Sequence, residues 1–254
     1  MKSMSAMTTT IFSPQQLAAI DLSRVPRHVA IIPDGNRRWA KKQQEIYDKG
    51  HEAGASNLIE IVKAGKTVGI KALTFYLFST ENWTRSQEEV GALMWLLQEF
   101  LKEHCAEMQE QGVRLKTIGN LDALPKEVLE VVEKTIQATA HCDKIDMILA
   151  LNYGSRDEIR RVFHQILDRY SAGTLQKEEV TENLIASYLD TELWGDPDLL
   201  IRTSGEMRVS NFLLWQLSYT EIYVTELLWP EFKPDDLLDA IVNFQKRERR
   251  LGGT

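Results

Sequence analysis

Cysteine is nearly absent: Cys105 and Cys142 are the only two in 254 residues. They stand apart, with no CxxC and no histidine at metal-ligand spacing, so neither a zinc site nor a disulfide framework is expected, and a reducing cytoplasm fits. Long apolar runs are also missing. No stretch approaches the ~20 residues needed to span a bilayer, and Met1–Thr10 is polar, without the apolar centre of a signal peptide. Positive charge is in deficit, with 30 Lys and Arg against 37 Asp and Glu and a net charge of −7. That balance argues against a nucleic-acid footprint, while basic clusters at 37–42, 202–208 and 246–250 leave room for local anion sites. Repeats, low-complexity tracts and Pro/Gly-rich linkers are lacking as well. What remains is one domain over residues 25–254, preceded by a loosely held segment over 1–24.

What is present is alternation. Val29–Ile32, Ala72–Phe78, Val113–Ile118, Ile145–Leu151, Leu199–Ile201 and Ile222–Val224 have the apolar or alternating pattern of strands. Helical periodicity covers His51–Val68, Glu88–Gln109, Pro125–Ala140, Asp157–Tyr170, Thr181–Leu189 and Pro234–Arg250. Strands alternating with helices predict an α/β fold, a central and mainly parallel sheet surrounded by helices.

Polar clusters recur where the strands end, which in open parallel sheets is where ligands bind. The first strand leads into Asp34-Gly35-Asn36-Arg37-Arg38-Trp39. A carboxylate, a glycine that admits close backbone approach and a cationic helix start suit a metal–diphosphate pair, and equally an ordinary strand–helix turn with an N-cap and solvated arginines. The second strand leads into Ser79-Thr80-Glu81-Asn82-Trp83-Thr84-Arg85, a later one into Asn152-Tyr153-Gly154-Ser155-Arg156, and Ile201 into Arg202-Thr203-Ser204-Gly205-Glu206-Met207-Arg208. Arg85, Arg202 and Arg208 can fork onto phosphate oxygens, with Ser79 and Ser210 adding hydroxyls. His51 can bind phosphate, move a proton or simply face solvent. Trp39 and Trp83 can shield a cation, pack an apolar chain or belong to the core. Asp235, Asp236 and Asp239 match an aspartate-rich metal motif. They follow Pro234 at a helix start, where capping and the helix dipole already account for acidic residues.

Taken in order, Asp34–Ala40, Gly50-His51, Phe78–Arg85, Asn152–Gly154, Arg202–Glu206, Arg208–Gln216 and Glu221–Tyr223 resemble the cis-prenyltransferase family, its bacterial undecaprenyl-forming branch above all. The resemblance covers about residues 25–253. It implies an apolar product tunnel beside the sheet, a homodimer, Mg²⁺, and repeated condensation of isopentenyl diphosphate onto farnesyl diphosphate. The implied product is a long-chain polyprenyl (undecaprenyl) diphosphate, precursor of the cell-wall lipid carrier, released with at most peripheral contact at the inner face of the membrane. The alternatives are a shorter product and, in a different class, a non-catalytic prenyl-lipid-binding subunit.

Carried over by resemblance, Asp34 is the Mg²⁺-linked aspartate and Glu221 the second metal carboxylate. Gly35, Asn36, Arg37, Arg38, Trp39 and His51 correspond to the cradle of the allylic diphosphate. Ser79, Thr80, Glu81, Asn82, Trp83 and Arg85 correspond to the central cluster, with Asn82 as proton acceptor. Arg202, Arg208, Val209 and Ser210 correspond to the isopentenyl diphosphate clamp, and Arg250-Leu251-Gly252 to an element that reaches the partner's site. Pro33, Arg37, Ser155 and Met207 depart from the family pattern. So does Tyr47, which stands where a diphosphate-binding arginine is usual, and Arg37 or Lys49 would supply the missing charge. The tunnel walls are expected from the helices over 88–109 and 125–140.

Overall fold

The computed structural model describes residues 11–247, apart from the Tyr47 side chain. The expectations for Met1–Thr10, the Tyr47 side chain and the Arg250-Leu251-Gly252 element lie outside it. Six strands, β1 (His28–Ile32), β2 (Ala72–Ser79), β3 (Val113–Ile118), β4 (Ile145–Tyr153), β5 (Leu199–Arg202) and β6 (Glu221–Val224), form one sheet in the order β3-β4-β2-β1-β5-β6. Every pairing is parallel. Every residue of β1, β4 and β5 is buried, the result expected for apolar strands covered on both faces.

The longer helices are α2 (Asn36–Gln43), α3 (Tyr47–Val68), α4 (Gln87–Gln111), α5 (Lys126–Thr139), α6 (Ser155–Ser171) and α8 (Pro234–Gln245). Two short ones, α1 (Pro14–Ala18) and α7 (Glu182–Ala186), complete the set among the described residues. Strand and helix limits fall close to those expected, with one exception: the last helix stops at Gln245 rather than Arg250. The larger core cluster joins the sheet to α3, α4, α5 and α8, and a smaller one packs Phe212 and Leu213 against the other face.

The N-terminal stretch departs from the loose tether expected for it. Within residues 11–24, Ser13 and Gln16 form a reciprocal capping box on α1. Phe12 and Ile20 are buried in the main core. The aspartate-rich motif has a structural task. Asp236 accepts from the Lys233 backbone N–H at 2.7 Å at the start of α8, and Asp235 accepts from Gln16 at 2.7 Å. It thereby caps one helix and anchors another.

The chain order places the cleft. From β1 it runs to β2 on one side, whereas β5 and β6 lie on the other. The turns after β1 and β5 therefore diverge, and a crevice opens between their carboxyl ends, the topological switch point of an open α/β sheet. Ile32 pairs with Arg202 there, which brings Asp34 beside the Arg202 cluster.

At the opposite end, His28 is a buried polar residue of β1. Its Nδ1 lies 3.1 Å from the Gly195 carbonyl and its Nε2 2.8 Å from Thr74 Oγ1. A carbonyl only accepts, so Nδ1 carries the hydrogen and Nε2 accepts from the threonine hydroxyl. Burial pushes its pKa down to about 4. The unfolded chain then takes up the proton first, so this stability is complete above about pH 6.5 and is lost as pH falls toward 4. Between pH 7 and pH 5 the loss should be roughly 2 kcal/mol. Urea denaturation at the two pH values should show it in the wild type and show markedly less in His28→Gln; an equal pH dependence in both would assign it elsewhere.

Candidate active site

The site is built from the ends of β1, β2 and β5. After β1, the Asp34 backbone is clamped on both sides: its N–H donates to Thr203 Oγ1 at 2.9 Å, and that hydroxyl donates to the Asp34 carbonyl at 2.6 Å. Trp229 N–H donates to the same carbonyl at 3.0 Å. Gly35 follows at φ +107°, and a Cβ there would meet Leu228 at 2.9 Å, so glycine is required on both counts. It opens α2, which carries Asn36, Arg37 and Arg38 into the cleft. The two glycines of α3 that face α2 allow close crossing: a Cβ on Gly50 would sit 2.2 Å from the Asn36 carbonyl, and one on Gly54 2.6 Å from Asn36 Oδ1.

The charges interlock. Arg202, buried at 4% side-chain exposure, donates from Nη2 to Asp34 Oδ2 at 2.9 Å. Its Nη1 donates to Ser210 Oγ at 2.9 Å and to the Arg208 carbonyl. Its Nε is buried with no partner, as is Asn36 Oδ1. Arg38 approaches Asp34 at 3.7 Å, pairs with Glu206 at 3.1 Å and donates to the Ser204 carbonyl at 3.0 Å. Glu206 also holds Arg208. Across the cleft, Glu89 receives Arg85 at 2.8 Å and Arg37 at 3.5 Å. His51 Nδ1 lies 3.5 Å from the Asn36 amide. Burial, reinforced by Arg85, holds His51 below the usual histidine range and so neutral at pH 7.

Asp34, Asn36, Arg37, Arg38, His51, Arg85, Arg202, Arg208 and Ser210 form the polar half of a cavity of about 800 Å³, together with Ser79, Glu81 and Asn82. The other half is apolar. Ala55 and Leu58 of α3, Leu93, Met94, Leu96, Leu97 and Phe100 of α4, and Leu77, Phe78 and Leu151 of the sheet line it. Two consecutive register shifts in β2, between Tyr76 and Ser79, bring successive residues to this surface. The cavity reaches Phe100 and goes no further along α4. α5 contributes nothing to it, contrary to the expected tunnel wall, because its apolar side is spent on α4 and β3.

Several expected site residues stand elsewhere. Trp83 is turned from the cavity, donating to Asn152 Oδ1 at 2.7 Å and packing edge-on against Phe78. Trp39, Thr80 and Val209 do not line it either. Lys49 is paired with Glu52 at 2.6 Å and does not line the cavity, whereas Arg37 does. Glu221 opens β6, paired with Leu199 and three residues before the carboxyl end, about 10 Å from the cleft edge along the strand. Its carboxylate holds Arg247 at 2.7 Å. Within this chain it does not join Asp34.

Mg²⁺ binds oxygen ligands, and at phosphate sites it typically takes one or two carboxylates with the substrate's own oxygens and water. Asp34 fits that pattern, as a cleft carboxylate among phosphate-seeking arginines; Glu221 does not. Among the described residues no group of three or more His, Cys, Asp or Glu forms a cage. Asn82 lines the cavity, and its Oδ1 accepts from the Ser79 N–H at 2.9 Å. Thr203, Glu89 and Glu206 also build the site, although nothing in the sequence assigned a role to any of the three. Glu206 was the most legible of these, a lone carboxylate inside the Arg202–Arg208 run.

The family model described as "Putative undecaprenyl diphosphate synthase" matches residues 32–252. The chain belongs to this family of prenyltransferases. An isoprenyl transferase of Chlamydia trachomatis is 46% identical over 90% of this chain and 92% of the relative, and that of Bacillus subtilis 44% over 94% and 96%. Among solved structures, lavandulyl diphosphate synthase from Lavandula x intermedia, in complex with dimethylallyl diphosphate, superposes with a TM-score of 0.88 at 35% identity, covering 91% of this chain and all of that one. A probable undecaprenyl diphosphate synthase from Campylobacter jejuni gives 0.76 at 32%, over 90% and 99%. The cavity of this prenyltransferase thus has a charged mouth and an apolar interior, the two halves a prenyl diphosphate requires.

The Asp34–Arg202 pair changes what mutation of Asp34 should do to stability. A turn aspartate alone would be dispensable to the fold. Removing it here leaves a buried guanidinium uncompensated, which costs about 3–5 kcal/mol. Asp34→Ala should lower the denaturation midpoint accordingly, and Asp34→Ala combined with Arg202→Met should recover much of it. Additive losses in that double-mutant cycle would show the two side chains to be energetically independent.

Proposed function

We propose that this isoprenyl transferase condenses isopentenyl diphosphate repeatedly onto farnesyl diphosphate, with Mg²⁺, to give a long-chain cis-polyprenyl diphosphate of the undecaprenyl type. The observation that carries the reading is the make-up of one cavity, with Arg37, Arg38, Arg85, Arg202 and Arg208 beside Asp34 in its polar half and apolar side chains of α3, α4 and the sheet in the other.

In this reading Arg37, Arg38, Asn36 and neutral His51 cradle the allylic diphosphate at the start of α2. Arg202, Arg208 and Ser210 hold the second diphosphate. Asp34 would hold the metal, which when bound supplies positive charge against the departing diphosphate. The arginines stabilise that same charge as the allylic C–O bond breaks. Fixing both substrates in one cleft aligns the alkene of the second with the allylic carbon of the first. The proton released on forming the new double bond goes to a diphosphate oxygen, a stronger base than the engaged amide of Asn82. The growing chain enters the apolar half, where each methylene removed from water contributes about 0.8 kcal/mol.

The homodimer belongs to the same proposal. Phe163, Leu167 and Tyr170 form an exposed row along α6, and Ile222 is exposed on the edge strand β6. These are surfaces a second copy would cover. Among the described residues no helix is long and apolar enough to cross a membrane. The same proposal places the enzyme in the cytoplasm, where the family resemblance puts it, with product handed over by peripheral contact.

A shorter product is the second reading, and the cavity favours it. Its apolar half ends at Leu97 and Phe100, and an undecaprenyl chain would need both to move aside. Chromatography of products from farnesyl diphosphate, labelled isopentenyl diphosphate and Mg²⁺ decides between them. Undecaprenyl-length product from the wild type supports the first reading. Early termination, relieved by Phe100→Ala, supports the second. Absence of any condensation by the purified chain, with any allylic starter, would sink both and leave the non-catalytic subunit.

A further inference from the structure

The polar cluster at the carboxyl end of β4, Asn152 to Arg156, takes no part in the cradle or clamp described above, yet its last residue lines the cavity. Arg156 is the second residue of α6, whose N-cap is Gly154. A cation in the first turn opposes the helix dipole and weakens the helix rather than supporting it. The next two residues, Asp157 and Glu158, are of the kind a helix start favours. Packing does not account for the arginine either, since Arg156 is exposed.

The other cavity arginines are each paired: Arg37 and Arg85 with Glu89, Arg38 with Asp34 and Glu206, Arg202 with Asp34, and Arg208 with Glu206. Among the described residues the Arg156 guanidinium has no hydrogen bond or ion pair. Its backbone, by contrast, is fixed. Arg156 N–H donates to Asn211 Oδ1 at 3.0 Å, Asn211 Nδ2 donates to Glu81 at 2.7 Å, and Ser155 N–H donates to the Asn211 carbonyl at 2.8 Å. Asn211 directly follows Ser210, and both hold left-handed φ values, +63° and +48°. The free cation is therefore mounted on the loop that carries Ser210 and Arg208.

We propose that Arg156 is a further diphosphate-binding residue, which takes the diphosphate of isopentenyl diphosphate on the wall opposite the allylic cradle. The inference deepens the condensation reading and rests on it. A guanidinium with no ion pair to give up meets phosphate oxygens directly and can do so through two parallel hydrogen bonds.

Steady-state kinetics of the wild type, Arg156→Ala and Arg156→Lys test it. In Arg156→Ala the KM for isopentenyl diphosphate should rise tenfold or more, while the KM for the allylic substrate stays put. Arg156→Lys should fall between, since an ammonium keeps the charge but loses the fork. The melting temperature of Arg156→Ala should equal or exceed that of the wild type, the reverse of a structural residue. Calorimetric titration with inorganic pyrophosphate, which needs no turnover, should show weaker binding to Arg156→Ala. Unchanged KM with unchanged pyrophosphate affinity would overturn the proposal, and so would equal rises in both KM values together with a lower melting temperature. If the wild type condenses nothing, the functional reading fails by itself, and the pyrophosphate titration still decides for or against Arg156.

Discussion

A positive charge withdrawn from water at the end of a central strand organises this molecule. Arg202 closes β5 at 4% side-chain exposure, and such a charge is tolerated only when paired and hydrogen-bonded. The chain meets that demand from two directions. Asp34 arrives from the turn after β1, and Ser210 with the Arg208 carbonyl arrives from the loop after β5. The demand explains why the Asp34 backbone is locked to Thr203, and why residues 204, 210, 211 and 213 hold left-handed backbone without being glycine. That strain is kept because the surrounding contacts over-determine it.

The same arrangement couples fold to chemistry. The crevice between diverging turns follows from strand order alone. What fills it follows from charge. Glu206 and Glu89 each hold two arginines, Glu206 on the Asp34 side and Glu89 on the α4 side, so guanidiniums line both banks without facing one another uncompensated. A diphosphate entering between them exchanges protein ion pairs for substrate ion pairs rather than creating charge contacts from nothing. The apolar half begins where β2 loses register with β4, and it ends where Phe100 closes over the lower part of α4.

The parallel α/β architecture was legible because apolar strands alternate with amphipathic helices, and most limits fall within a few residues. The cleft arginines were legible because they cluster after strand ends. Glu221 could have been placed correctly: it precedes the apolar run Ile222–Val224, so it had to lie at the amino end of its strand, away from a crevice at the carboxyl ends. Other features were out of reach of one sequence. No pattern shows which way an indole turns, and Trp83 is settled by a hydrogen bond to Asn152 across 69 positions. The amphipathic pattern of α5 indicates a buried face but not whether it meets a cavity or a neighbouring helix. Phe12 and Ile20 belong to two short apolar groups, Ile11-Phe12 and Leu17–Ile20, too brief to mark a core contact by pattern, and only the folded core reveals the sites they occupy.

The central claim is that two diphosphates bind side by side in this crevice and that their apolar ends join there with a fixed geometry. The stereochemistry of the bond made tests it most directly. The purified chain should be given farnesyl diphosphate and isopentenyl diphosphate carrying ¹³C in its methyl group, with Mg²⁺, and the product examined by ¹³C NMR. The account predicts that the methyl carbon of every newly formed internal double bond resonates at the cis position. A product whose new double bonds are trans would contradict it.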